Sequence, residues 1–462
     1  MYDDTFHNIN DSLEQVEKML LGESFFFLDV QIFEDVINYY SQIGDVKKAY
    51  QVCELALKQH PYTLEILLQK ALLIAEDGNP EKALKTLEIA ENIYPSDFDL
   101  KFHKGKIIEL VDVGKSIEIF EQLLSESGSK KPEITFQLAK LYFKAEKYEI
   151  AQRFFHKTIE IHPEEGDFIQ EYLVFAETTQ NVPKAVSFFQ KQTDASPYNK
   201  YCWYNLGMAY TLKEDYEKAS QAFEYATLID IDFDYAYFGW GLCLFEGTQY
   251  QKAVEKLLLV KELEQELELN LLIGLCYKEL KVWQKALKYL RKGLAVDPNH
   301  PEILFNIGVC FFHQNTWLES IHYFNKAIKA NESIAEYWEY LAEAEKQMGN
   351  FFSAEEAFQK AIDLSGDNPI TWLSWSELYF NNQMVSDAVD VLTDALEELP
   401  DNADLLYRVA AYYLILGKLF DACKYLEQAL ILNYQAHTQL WEIFQDPQKQ
   451  GYIKKIINQL HP

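Results

Sequence analysis

A small residue recurs along this chain every 33 to 35 positions, at Ala49, Ala83, Ser116, Ala151, Ala185, Ala219, Ala253, Ala286, Ser320, Ala354, Ala388 and Ala422. Eight of the eleven steps are 34 residues. An apolar residue follows each of them four positions later, at Cys53, Leu87, Phe120, Phe155, Phe189, Phe223, Leu257, Leu290, Phe324, Phe358, Leu392 and Leu426. Residues four apart share one face of a helix. A fixed period of this length marks stacked supersecondary units, each burying its apolar face only against its neighbours. Prolines twelve residues past the small residue, at Pro61, Pro95, Pro163, Pro197, Pro298 and Pro400, separate one unit from the next. Proline lacks the N–H that would carry the helix onward.

The composition narrows the function classes. With 48% hydrophobic residues in 462, the chain is too apolar for disorder, and no Gly-, Ser- or Pro-rich stretch marks a linker. Against 42 basic residues stand 72 acidic ones, a net charge of −30. Phosphate backbones and anionic lipid attract basic surfaces, so neither nucleic acid nor a membrane is an expected partner. No run reaches the roughly 18 apolar residues that cross a bilayer. The opening Met1-Tyr2-Asp3-Asp4 is acidic where a secretory signal is basic. Six cysteines without short paired spacing suggest neither a disulfide framework nor a zinc knuckle, and a reducing cytoplasm is expected.

Catalytic signals are absent from the pattern. Gly114-Lys115-Ser116 resembles the tail of a phosphate loop, but Glu109 stands where such a loop needs glycine. The ten histidines show no metal-ligand spacing. His60-Pro61 and His162-Pro163 fall at unit junctions, where they read as helix-end residues. Cys243, Cys276 and Cys310 occupy one helix position in three successive units, with Ala209 equivalent. Small core residues are the reading, because stacked helices lie about 8–10 Å apart, beyond disulfide reach. No enzyme, cofactor or metal is expected.

The segment Trp203-Tyr-Asn-Leu-Gly-Met-Ala-Tyr210, followed by Ala219, Phe223 and Ala226, resembles the tetratricopeptide repeat. Gly274, Tyr277, Ala286, Leu290 and Pro298 match it again. The unit around Ser116 is the weakest, with a shortened turn. The resemblance implies an all-α, right-handed superhelical α-α solenoid of about twelve helix hairpins. It covers residues 30–434, with capping helices in 1–29 and 435–462. The leader, a leucine-rich helix with Asp11 or Ser12 as N-cap followed by Phe25–Leu28, is similar to bacterial multi-repeat arrays. Thr438–Phe444 and Gln450–Leu460 read as helical pieces broken near Pro447.

The resemblance also implies a function: a protein-interaction scaffold or adaptor, or alternatively a peptide receptor whose superhelix changes shape on binding. In the family the first helix of each repeat lines a concave face through positions two, five, nine and twelve, with six in some. Here those positions give Tyr201, Tyr204, Asn205, Tyr235 and Phe238, with Phe245 further along, then Phe305, Asn306 and Phe312. Glu302, Glu336, Glu339, Glu343 and Glu377 fall on the same face, and Glu268, Glu302 and Glu336 share one position. An aromatic floor with an acidic ridge fits a basic and apolar protein or peptide segment. Self-association stays open. Chaperone-binding members hold a carboxylate with Lys at position five and Asn at nine. Gln170 and Val174 before Asn205, and Leu271 and Leu275 before Asn306, leave that arrangement incomplete.

Overall fold

The computed structural model describes residues 3–127, 132–263 and 266–445, with 450, 451, 453, 454 and 457. Helices α1 (Asp3–Leu20), α2 (Val30–Gln42), α3 (Val46–Gln59), α4 (Leu64–Glu76) and α5 (Pro80–Ile93) come first. They lead into α6 (Phe98–Ile108), α7 (Val113–Ser127), α8 (Pro132–Lys144), α9 (Tyr148–Ile161) and α10 (Gly166–Thr178). Then follow α11 (Val182–Ala195), α12 (Lys200–Leu212), α13 (Tyr216–Ile229), α14 (Asp234–Glu246) and α15 (Tyr250–Leu257). Next are α16 (Glu266–Glu279), α17 (Trp283–Val296), α18 (Pro301–Phe312), α19 (Trp317–Ala330) and α20 (Ala335–Met348). The last are α21 (Phe351–Leu364), α22 (Pro369–Asn381), α23 (Val385–Glu398), α24 (Ala403–Ile415), α25 (Leu419–Leu432) and α26 (Gln439–Ile443). No strand occurs among the described residues. From α2 to α25 they pair as twelve antiparallel hairpins, an α-α solenoid. The helices form two compact units, residues 1–229 and 230–462.

Most of these helices are 13 or 14 residues long, too short to persist alone in water. Packing at the crossing supplies what propensity cannot. Every periodic small residue lies on the second helix of its hairpin and is 0–1% exposed, as is the apolar residue four positions on. Opposite them most first helices carry a small residue, Leu173 of the fifth hairpin being an exception: a Cβ on Gly207 would sit 2.7 Å from Phe223, and one on Gly308 2.6 Å from Phe324. The first hairpin inverts the sizes, with Ile37 opposite the smaller Cys53, and both are buried. Ser116 replaces alanine because its hydroxyl has a use, donating to the Gly105 carbonyl at 2.8 Å. The tripeptide from Gly114 to Ser116 therefore belongs to the first turn of α7 and its packing. Three tryptophans at position four close the entrance of their helices. Trp203, Trp338 and Trp372 each donate the indole N–H to a carbonyl six residues earlier, at 2.8–2.9 Å.

The turn inside each hairpin is also periodic. A left-handed residue recurs at Gly44, Gly78, Glu146, Gln180, Glu214, Thr248, Lys281, Asn315, Gly349, Gln383 and Gly417. The third hairpin lacks it because one residue is missing between Gly105 and Ser116; Asp112 still caps the second helix, accepting from the Lys115 N–H at 3.1 Å as Asp45 does from Lys48. The periodic prolines sit in turns after the second helices. His60 and His162 are C-cap residues there; the His60 ring bonds the Leu28 carbonyl at 2.8 Å.

Cys243, Cys276 and Cys310 are wholly buried, and burial pushes the thiols of Cys276 and Cys310 up to about 12. Two departures from expectation stand out at the ends and one in the middle. The leader helix begins at Asp3, so Asp11 and Ser12 lie inside it and are not its N-cap. It packs on α2 and α3 through Val16 and Met19, with Tyr40 donating to Glu17 at 2.7 Å. At the other end a 3-10 turn (Tyr434–Thr438) precedes α26, and Leu440, Phe444, Ile453 and Ile457 cover the last hairpin. Pro447 lies outside the described residues. In the seventh hairpin α15 stops after eight residues, and 258–263 run on without helix. The carboxylate of Asp234 takes over that segment, accepting from the N–H of Lys261 at 3.1 Å and of Glu262 at 2.9 Å.

Candidate functional site: the inner face of the hairpins

Within each unit, most first helices of successive hairpins touch one another, as α4 with α6 and α10 with α12, or α16 with α18 and α20 with α22. Second helices make no comparable contact among the described residues. The first helices therefore lie on the inside of each unit's curve, and the candidate residues are all on them.

In the first unit, Tyr201 and Tyr204 are half-buried; Tyr201 has the Lys200 ammonium 5.1 Å from its ring, and Tyr204 leans on Phe223 at 5.8 Å. Asn205 is 2% exposed and its amide donates to the Pro163 carbonyl at 2.8 Å. That amide ties two hairpins together and is committed to the fold.

The second unit sorts its residues in the same way. Tyr235 is 42% exposed, whereas Phe238, Phe245 and Phe312 are half-buried. Phe305 is a core residue, stacked on Tyr337 with centroids 4.6 Å apart. Asn306 is buried, donates to the Glu302 carbonyl at 2.8 Å and accepts from the Lys278 ammonium at 2.9 Å.

The acids fall into two classes. Glu339 accepts from Asn368 at 2.9 Å and from the Thr371 hydroxyl, joining α20 to α22. Glu343 and Glu377 flank one ammonium, that of Lys346, at 2.8 and 2.9 Å. Glu268, Glu302 and Glu336 are exposed, and their carboxylates have no hydrogen bond or ion pair within the described residues. The Glu336 carboxyl is raised, first because surrounding protein displaces solvent; Lys278 opposes the shift and Glu339 adds to it.

Lys278 and Lys346 are the residues that sequence reasoning missed. Both stand at position twelve of their repeats, so the periodic pattern held the signal, but which acids they neutralise depends on the neighbouring helix. No group of three or more His, Cys, Asp or Glu side chains is placed to hold a metal ion among the described residues. No helix there is long and apolar enough to cross a membrane.

Hairpins of 34 residues, small residues at each crossing and an inner wall of first helices define a protein-interaction scaffold, and the chain is a tetratricopeptide repeat protein. It matches the tetratricopeptide repeat family over residues 281–331 and 317–369, and the ChAPs (Chs5p-Arf1p-binding proteins) over 102–226. The BBSome complex member BBS4 of Bos taurus is 21% identical over 359 residues, 76% of this chain and 69% of that protein. The anaphase-promoting complex subunit CDC27 of Saccharomyces cerevisiae is 27% identical over 124 residues, 27% of this chain and 16% of that protein. Among solved structures, the APC/C hetero-tetramer Cut9-Hcn1 is 15% identical with a TM-score of 0.42, covering 83% of this chain and 96% of that one.

Proposed function

We propose that the chain is a scaffold whose second unit takes an extended, basic and apolar segment of a partner protein along its first helices. The observation that carries this reading is the row Glu268, Glu302 and Glu336. These are the same position in three successive repeats, exposed and unneutralised, while the acids deeper on the face are consumed by Lys346, Asn368 and Thr371. Carboxylates without internal partners retain their full attraction for a cation. Tyr235, Phe238 and Phe312 supply apolar contact beside them, and Tyr201 and Tyr204 do the same in the first unit. The relatives named for membership of multi-subunit complexes agree with an adaptor role. A cytoplasmic setting fits six cysteines that are all free thiols.

The peptide-receptor reading draws its support from α15. A second helix of eight residues, where its counterparts have fourteen or fifteen, gives that unit a place at which its curvature can adjust.

The test is a titration of a labelled Lys/Leu peptide against wild type and the isosteric triple variant Glu268→Gln/Glu302→Gln/Glu336→Gln. Loss of about tenfold in affinity, about 1.4 kcal/mol, is expected at low salt. Equal binding by both proteins would remove the acidic row from the site.

A further inference from the structure

The inner face of the first unit carries the opposite charge in its third and fourth hairpins. There position six is His103 on α6 and Gln137 on α8, and position nine is Lys106 and Lys140. Residues three apart lie on one helix face, so each helix presents a polar side chain with a lysine one turn above it. The same pair is repeated on the next first helix. Lys144 of α8 reaches Glu109, the C-cap residue of α6, at 3.5 Å, which puts the two helices side by side.

These two lysines are not spent on the fold. Lys106 is exposed and makes no hydrogen bond or ion pair within the described residues. Lys140 makes no ion pair either; its ammonium lies 4.8 Å from the centroid of Phe136, at position five. In a chain with 72 acidic residues against 42 basic ones, carboxylates are abundant, yet none is placed on this pair. Asp99 and Glu133 stand seven residues before the lysines, two helical turns away.

A second observation lies beneath them. His103 Nδ1 and Gln137 Oε1 are shielded from solvent and have no partner among the described residues, and Gln137 as a whole is only 7% exposed. Gln69, at position six of the preceding repeat, has the same unpartnered oxygen. Buried polar atoms without partners are costly and uncommon. Three in one register position mark a row that the fold does not satisfy by itself. Burial and then the Lys106 charge hold the His103 ring below the usual histidine range, with Asp99 opposing, so it is a neutral hydrogen-bonding group.

We infer that Lys106 and Lys140, with His103 and Gln137 beneath them, form a binding site for an acidic peptide segment lying across α6 and α8. Neighbouring helices are about 8–10 Å apart. An extended chain advances about 3.3–3.6 Å per residue, so carboxylates two or three residues apart reach both ammonium groups. Phe136 and the half-buried Phe102, both at position five, give an apolar side chain between the acids a surface to lie on. The arrangement differs from the chaperone-tail site of the family, which places lysine at five and asparagine at nine. It is independent of the acidic row in the second unit.

The experiment uses the full chain and a fluorescein-labelled peptide of alternating Glu and Leu, followed by anisotropy at low salt. Saturable binding is expected, weakened at least about tenfold by Lys106→Ala/Lys140→Ala and kept within about twofold by Lys106→Arg/Lys140→Arg. A control removing two exposed lysines from second helices, Lys85→Ala/Lys115→Ala, should leave it unchanged, as should the triple Glu→Gln variant. Circular dichroism of each variant reports folding. The inference is overturned if wild type shows no saturation or if a Gln/Leu peptide binds equally. It is equally overturned if the folded double alanine variant binds like wild type or the control variant weakens binding as much.

Discussion

Gly207 and Phe223 meet at the crossing of α12 and α13 so closely that a methyl group on the glycine would lie 2.7 Å from the ring. The ring is 0% exposed and cannot swing aside. Other hairpins accept alanine at the equivalent place, Ala139 before Phe155 and Ala342 before Phe358, so the helix spacing is set hairpin by hairpin. Gly207→Ala should therefore overpack this crossing and cost about 1–3 kcal/mol, measured by urea denaturation. Unchanged stability would mean that the neighbouring helices separate freely.

The left-handed turn residue gives a prediction of opposite sign. Lys281 holds φ at 59° with a side chain that disfavours it, whereas Gly349 holds 79° at no such cost. Lys281→Gly should raise stability by up to about 1 kcal/mol and Gly349→Ala should lower it by about 1–2 kcal/mol. Thermal melts of the two variants should shift in opposite directions from wild type.

His156 makes the fold sensitive to acid. Its ring stacks on Phe188 with centroids 3.8 Å apart and hydrogen-bonds the Tyr172 hydroxyl at 2.7 Å. Burial, with help from Lys191, pushes it down to about 4 from an ordinary 6.5. The folded value lies below the unfolded one, so stability is full above about pH 6.5 and is lost as pH falls toward 4. At pH 5.0 the loss is about 2 kcal/mol relative to pH 7.5. His156→Gln should show a pH dependence smaller by about that amount in paired urea titrations at the two pH values, while a parallel dependence would place the titration elsewhere.

The repeat was legible because its determinants are local and periodic. Ala219 and Phe223 sit on one helix with the small Gly207 facing them, and the same spacing recurs along the chain, so the spacing alone locates the hairpins. The face was legible at the level of register: Glu268, Glu302 and Glu336 are exposed on the helices that line it. What could not be read was the use of each side chain. Asn205, Asn306 and Glu339 reach residues 28 to 42 positions away in sequence. Which of them bonds depends on how one hairpin rotates against the next, a quantity no single repeat encodes. The shortened α15 left only faint signs: a 33-residue step from Ala253 to Ala286, and Val260 where Ala226 and Ala327 stand in other repeats.

That interruption supports a last prediction. Residues 259–263 lie beyond the helical ladder of α15, and among the described residues the only side chain bonded to backbone N–H groups in 258–263 is the Asp234 carboxylate, with Lys261 adding an ion pair to Asp232 at 2.6 Å. Asp234 is also the first residue of α14, where a negative charge favours the helix. Asp234→Ala removes both acceptors together, so the amides of Lys261 and Glu262 should exchange faster with solvent, by about tenfold for a local loss of about 1.4 kcal/mol. Asp234→Asn keeps one acceptor oxygen and should give an intermediate rate. Hydrogen exchange read by mass spectrometry over 258–263 separates the three proteins. Equal protection in all of them would show that Leu258 and Leu259, not the carboxylate, hold the segment in place.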